Sequence, residues 1–241
     1  MNLKSLPFKI VIGTIYLIIL ICLLWWVLFS VGIENLMDYD FIRSQKLTLD
    51  TYKENNFFYL AIIFFLFSVV WVWFLGLATP LLIFSGLIFG KWWGTIISVT
   101  ATTVGATLLY ILAGYFFAHI IEQKLSKKFS YLTHLFQKNE FFYFMCFRFV
   151  GGGGIPYTIQ NILPVLFNMK VKNYCAATFI GSIPLMFITV AIGSGMGNVI
   201  KESDKLDFIT IIQSPEIFLP LIAFFVILIV AFIVNKIYFK N

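Results

Sequence analysis

Apolar residues in this chain come in long blocks, with the polar positions gathered between them. Five stretches hold no Asp, Glu, Lys or Arg: residues 10–31, 57–90, 94–118, 174–199 and 217–234. A helix needs about 17–25 apolar residues to cross a bilayer, and every block meets that length. The first is too long for the hydrophobic region of a secretory leader, and Gly32-Ile33-Glu34 after it offers no small-residue cleavage site, so residues 1–33 read as a retained anchor. Residues 34–56 mix both signs of charge and predict a short interfacial helix and loop. Between 119 and 138, Ile121, Leu125, Phe129, Leu132 and Phe136 recur at helical spacing among Lys124, Lys127, Lys128 and Lys138. That is the pattern of an amphipathic helix lying in the headgroup layer. Residues 200–241 read as a polar loop followed by a last span.

Two segments are broken, and in the same way. Residues 57–90 are interrupted at Thr79-Pro80 and continue through Gly86 and Gly90 to Lys91, and a span follows from Gly94. Residues 141–169 are interrupted at Gly151-Gly152-Gly153-Gly154-Ile155-Pro156, continue through Asn161 and Pro164 to Lys170 and Lys172, and lead into the span from Tyr174. Proline removes a donor and clashes with the preceding turn, and consecutive glycines give a helix little reason to persist. Such backbone survives at membrane depth only inside protein or beside a wet cavity. A paired, interrupted segment is the mark of an inverted repeat. The fold expected is therefore an all-α membrane protein: an inverted repeat of re-entrant hairpin plus transmembrane helix over 57–199, with flanking N- and C-terminal spans. Lysine placement puts Lys124, Lys127, Lys128, Lys138, Lys170 and Lys172 in the cytoplasm and Lys91, Lys201 and Lys205 outside. Only the threading of the first third, and whether 57–77 crosses fully, stays open.

Composition agrees with this solvent. The chain is 61% hydrophobic and 12% charged, with mean hydropathy +0.95, which excludes a water-soluble domain. The net charge of +6 sits between apolar blocks, where anionic lipid headgroups rather than nucleic acid supply the counter-charge. Cys22, Cys146 and Cys175 lie in apolar stretches without metal-type spacing and read as packing residues. No metal or cofactor is implied. With two histidines and no acid in any apolar block, enzymatic acid-base chemistry has little to work with, and the chain reads as a non-enzyme.

Arg148 is the one charge in 141–169. Burying an arginine at mid-membrane costs about 2.5–3.5 kcal/mol on insertion scales. Neither broken segment contains a carboxylate to offset it. Two readings compete: Arg148 holds a phosphate oxygen through its planar guanidinium, or it bonds backbone carbonyls freed by the glycine run. Thr79, Ser85, Tyr157, Thr158, Gln160 and Asn161 add uncharged donors and acceptors near the breaks, and the Asn161 side chain is placed to bridge two backbone strands. Gly86, Gly90 and Gly94, with Ala101, Gly105 and Gly114, mark faces where helices pack closely. Gly193, Gly195 and Gly197 alternate in a way that suits a loosened helix end.

Phe144-Met-Cys-Phe-Arg148, Ile155-Pro156-Tyr157, Asn161 and Gly181-Ser-Ile-Pro184 together resemble the second half of the DedA-like superfamily, the SNARE-associated Golgi or VTT-domain proteins. Thr79-Pro80-Leu-Leu, Ser85-Gly86-Leu-Ile-Phe-Gly90 and Gly105-Ala-Thr-Leu-Leu-Tyr110 with Gly114 look like its first half. The resemblance implies facing re-entrant hairpins that move phospholipid or isoprenoid-lipid phosphate between leaflets. It matches Arg148 and Pro156 to the family's arginine and proline of the second hairpin, and Pro80, Gly86 and Gly90 to the first; with Tyr157, Asn161 and Ser85 beside them these make up the expected substrate-binding set. Pro80-Leu81-Leu82 departs from it, lacking the acids that proton-coupled members carry there. The expected function is a lipid flippase or scramblase, multi-pass, in the plasma (inner) membrane if the cell is bacterial. Its partners are phospholipid or lipid phosphate and the membrane itself, with a monomer or homodimer as the assembly. The alternatives are a secondary transporter of a small anion or metal ion and a structural assembly factor.

Overall fold

In the computed structural model, residues 39–125 and 138–202 are described, with a few helical positions between 215 and 229. Among them there are helices and short turns and no strand. The chain divides into two units, Met1–Thr48 and Leu49–Asn241. The described part of the first is the opening of a helix, and the second holds everything else below. The expected span 10–31 lies outside the described residues, as do 126–137 of the amphipathic segment and most of 217–234.

Helix α1, Tyr39–Leu75, bends at Asn56 (φ −132°, ψ 35°). Of the short interfacial helix and loop expected over 34–56, the described part, residues 39–56, is helical and belongs to α1, because no Gly or Pro occurs there before Gly76. Gly76 stops the helix in the left-handed region (φ +62°), its amide reaching back to Val72 O at 2.8 Å. Pro80 sits in the first turn of α2, Thr79–Leu125, where its missing N–H is harmless. At Gly90 (φ 76°, ψ 176°) α2 doubles back on itself: Ser85 Oγ donates to Gly94 O at 2.8 Å, nine residues on. An unbroken helix would hold those groups about 13 Å apart. The reversal frees the Ile88 carbonyl, and Lys53 Nζ takes it at 2.8 Å. The Phe57 ring lies 5.9 Å from Phe89 and 5.5 Å from Trp93, so 53–57 and 88–93 form one base.

The second hairpin is shorter. Helix α3, Glu140–Phe149, has 10 residues and rises about 15 Å, half of what a span requires. Asn139 caps it by accepting from Phe142 N at 3.1 Å. A 3-10 turn, Gly151–Gly154, reverses the chain. The return arm is α4, Tyr157–Ile162, and a 3-10 stretch, Leu163–Phe167, closed by left-handed Asn168. Entry and exit meet: the Glu140 carboxylate accepts from Lys170 N at 3.3 Å and from Asn173 Nδ2 at 2.6 Å.

Helix α5, Val171–Glu202, is the post against which both hairpins lean. Glycine makes each contact possible. A Cβ on Gly86 would fall 1.9 Å from Val190 O, one on Gly193 2.0 Å from Ile83 O, one on Gly181 2.5 Å from Met145 O, and one on Gly105 2.7 Å from Val69 O. Gly193 is thus a packing position, not the loosened helix end its spacing suggests, and α5 stays helical past it. The first hairpin's base meets α5 near Val190 and the second's near Asn173. These positions lie about 25 Å apart along a helix. The two tips touch, with Thr158 Oγ1 donating to Gly76 O at 3.0 Å.

Candidate functional site

Arg148 projects from the last turn of α3 just where the helix gives way to glycine, and it is 2% exposed. Its Nη1 donates to Gln160 Oε1 at 3.2 Å, and its Nη2 donates to Asn161 Oδ1 at 2.6 Å and to Tyr174 OH at 3.1 Å. Its carbon centre lies 5.0 Å from the rings of Phe144 and Tyr157 and 5.9 Å from Tyr174. No carboxylate among the described residues pairs with it. Hydrogen bonds to a charged group contribute about 1.5–3 kcal/mol each, and cation–π contacts about 0.5–2 kcal/mol. Together they offset the membrane cost without a counter-ion. A guanidinium has five N–H donors. Three are used here, and Nε is buried with no partner.

Backbone bonding falls to a different residue than expected. Arg148 bonds three side chains, and Gln160 Nε2 takes the freed carbonyls of Gly151 (3.0 Å) and Ile155 (2.6 Å). Asn161, expected to bridge backbone strands, is instead an acceptor for the guanidinium, with its own Nδ2 buried and unpartnered. The platform below is aromatic: Tyr174 stacks on Tyr110 at 4.5 Å and donates to Ala106 O at 3.3 Å, while Tyr110 OH donates to Met169 O at 2.5 Å.

A cavity of about 190 Å³ opens beside Arg148, where both hairpins and α5 meet. Ala78, Thr79 and Leu82 wall it from the first hairpin, Gly151, Tyr157 and Gln160 from the second, and Ser182, Leu185, Met186 and Thr189 from α5. Water occupies about 30 Å³ per molecule in the liquid, so the space holds several waters or one small polar headgroup.

Of the residues singled out by sequence, Arg148, Tyr157, Gln160 and Asn161 come together here, with Thr79 on the cavity wall. Pro80 and Pro156 are exposed at the two tips. Ser85 is buried with its hydroxyl committed to Gly94 O, Gly86 lies against Val190, and Gly90 forms the reversal, all three away from the cavity lining. Tyr174 and Met186 escaped notice, being ordinary members of an apolar span. Cys146 and Cys175 are free and partly buried, and no metal-type cluster of side chains occurs among the described residues.

Three helical stretches, Arg43–Leu75, Thr79–Phe116 and Val171–Ile200, are long and apolar enough to cross a membrane. The second of these doubles back at Gly90. Residues 74–195, just over half of the chain, match the family model of the VTT domain. The chain is also 25% identical over 171 residues to the transmembrane protein 41 homolog of Dictyostelium discoideum, covering 68% of this chain and 50% of that protein. The chain thus spans about half the length of this relative. No solved structure matches it.

Proposed function

Because the chain belongs to the VTT-domain (DedA and SNARE-associated Golgi) family of multi-pass membrane proteins, we propose that it moves phospholipid or lipid phosphate between leaflets. The observation that carries this is Arg148: a fully buried cation with no carboxylate partner among the described residues, lining a cavity between two hairpin tips. A buried charge in that state favours an anionic visitor. Arg148 and the polar edges of Gln160 and Ser182 line a route for a headgroup phosphate, while acyl tails remain in lipid. No covalent step is required.

The hairpins are re-entrant in this reading, entering from opposite faces as an inverted repeat. Support comes from the 10-residue α3, too short to span, from the Glu140 contacts that hold entry and exit of the second hairpin together, and from bases that meet α5 at well-separated levels, near Val190 and near Asn173. The same cavity would accept a small free anion, which keeps a secondary transporter as the competing reading.

Purified protein in vesicles with fluorescent phospholipid tests the two. Wild type is expected to equilibrate the leaflets, and Arg148→Ala to fall to the protein-free rate while still eluting as a single species from detergent. Equal scrambling by the variant would remove Arg148 from the mechanism, and anion uptake without lipid movement would favour the transporter.

A further inference from the structure

We infer, taking the anion reading of Arg148 as given, that Gln160 is a latch: a phosphate oxygen arriving at Arg148 displaces Gln160 Oε1 and releases the tetraglycine tip. Gln160 is 5% exposed and touches both partners at once, accepting from Nη1 and donating to Gly151 O and Ile155 O. The Gly152 backbone packs so closely on it that a Cβ there would fall 2.3 Å from the Gln160 amide. The outer half of the tip is open: Gly151, Gly152, Gly153 and Gly154 carry φ of +71°, +72°, +60° and +82°, and a Cβ on Gly153 or Gly154 would meet nothing within 4 Å, whereas one on Gly151 would fall 2.9 Å from Leu185. Ile155 N donates to Gly152 O at 3.2 Å where the 3-10 turn ends.

An ionised phosphate oxygen adds the attraction of opposite full charges to the guanidinium bond, which a neutral amide oxygen cannot supply, so the phosphate wins Nη1 and Gln160 yields. Asn161 and Tyr174 keep Nη2, so the guanidinium itself stays in place. Gln160 then loses the cation that polarises its amide, and with it the strength of its two bonds to the tip. Gly151 and Gln160 are both cavity walls, so occupation of the site widens the site. Gln160 acts here as a positioning residue, reporting the ligand to the backbone.

Hydrogen exchange over residues 150–160 of the detergent-purified full chain tests this, with dihexanoyl phosphatidylglycerol or inorganic phosphate as probe. Exchange in the wild type is expected to rise at least threefold with the short-chain lipid. In Gln160→Ala, and in Gly152→Ala where the added methyl pushes the amide away, it is expected to be high already and indifferent to either probe. Gln160→Ala is also expected to scramble lipid about twofold faster or more, where a merely structural residue would slow it. A response to both probes assigns phosphate chemistry alone as the trigger, and a response to the lipid only assigns the whole headgroup; both support the latch. A wild-type tip that exchanges equally with and without each probe overturns it. That failure is distinct from failure of the functional reading, which shows as Arg148→Ala scrambling at the wild-type rate.

Discussion

A cation without an anion is costly in any low-dielectric site, and Arg148 manages it with neutral groups only. Each acceptor on the guanidinium should therefore matter more than its type suggests. Tyr174→Phe keeps the ring and deletes one oxygen, leaving Nη2 short of an acceptor and Ala106 O without its donor. We expect a loss of about 1–3 kcal/mol, read as a lower midpoint of thermal unfolding in detergent; an unchanged midpoint would mean the hydroxyl contributes nothing. Arg148 could be found in the sequence because it is the sole charge in a long apolar run. Tyr174 could not, because a hydroxyl 26 residues away carries no local signal. Asn161 and Gln160 are neighbours with the same amide chemistry, and only the pitch of α4 decides which faces the guanidinium and which also reaches the turn.

At the level of helices, the contacts are backbone against backbone. In lipid there is little hydrophobic gain from pressing two apolar helices together, so close approach through small residues is what holds them. Gly86 and Gly90 illustrate two different demands. Gly86→Leu would drive a side chain into the α5 backbone, and we expect the protein to lose its single elution peak in detergent. Gly90→Ala meets open space and has only its positive-φ extended backbone (φ 76°, ψ 176°) against it, about 1–3 kcal/mol, so it should stay folded at a reduced unfolding midpoint. The reverse ranking would mean that α2 and α5 do not cross here. Helix breaks were legible from Pro80, Pro156 and the glycine run. A turn near Lys91, between the first hairpin and the span from Gly94, was legible too, but Gly90 as its pivot was not, because a glycine in an apolar stretch reads equally well as packing or as a turn. Gly193 was misjudged for the same reason, since spacing along one helix says nothing about the partner that comes close.

For the molecule as a whole, the arrangement of the hairpins sets which surfaces face which compartment. With both hairpins re-entrant, a cysteine at Asn139 and one at Lys170 should react with a membrane-impermeant maleimide from the cytoplasmic side, and one at Trp92 from the opposite side. Reaction of 139 and 170 from different sides would mean that the segment crosses. The all-helical, multi-pass character was visible in the order of apolar blocks, because their length is dictated by the bilayer itself. Tip-to-tip contact through Thr158 and Gly76 was beyond reach of the sequence, depending as it does on how far each arm climbs.

That contact bears on the distance any headgroup has to travel through oil. An ordinary bilayer interposes about 30 Å of hydrocarbon between its two aqueous faces. If the hairpins are re-entrant as proposed, two opposed plugs of protein meet end to end, the insulating layer shrinks to the thickness of the side chains that separate them, and the electrostatic barrier to a phosphate shrinks in step.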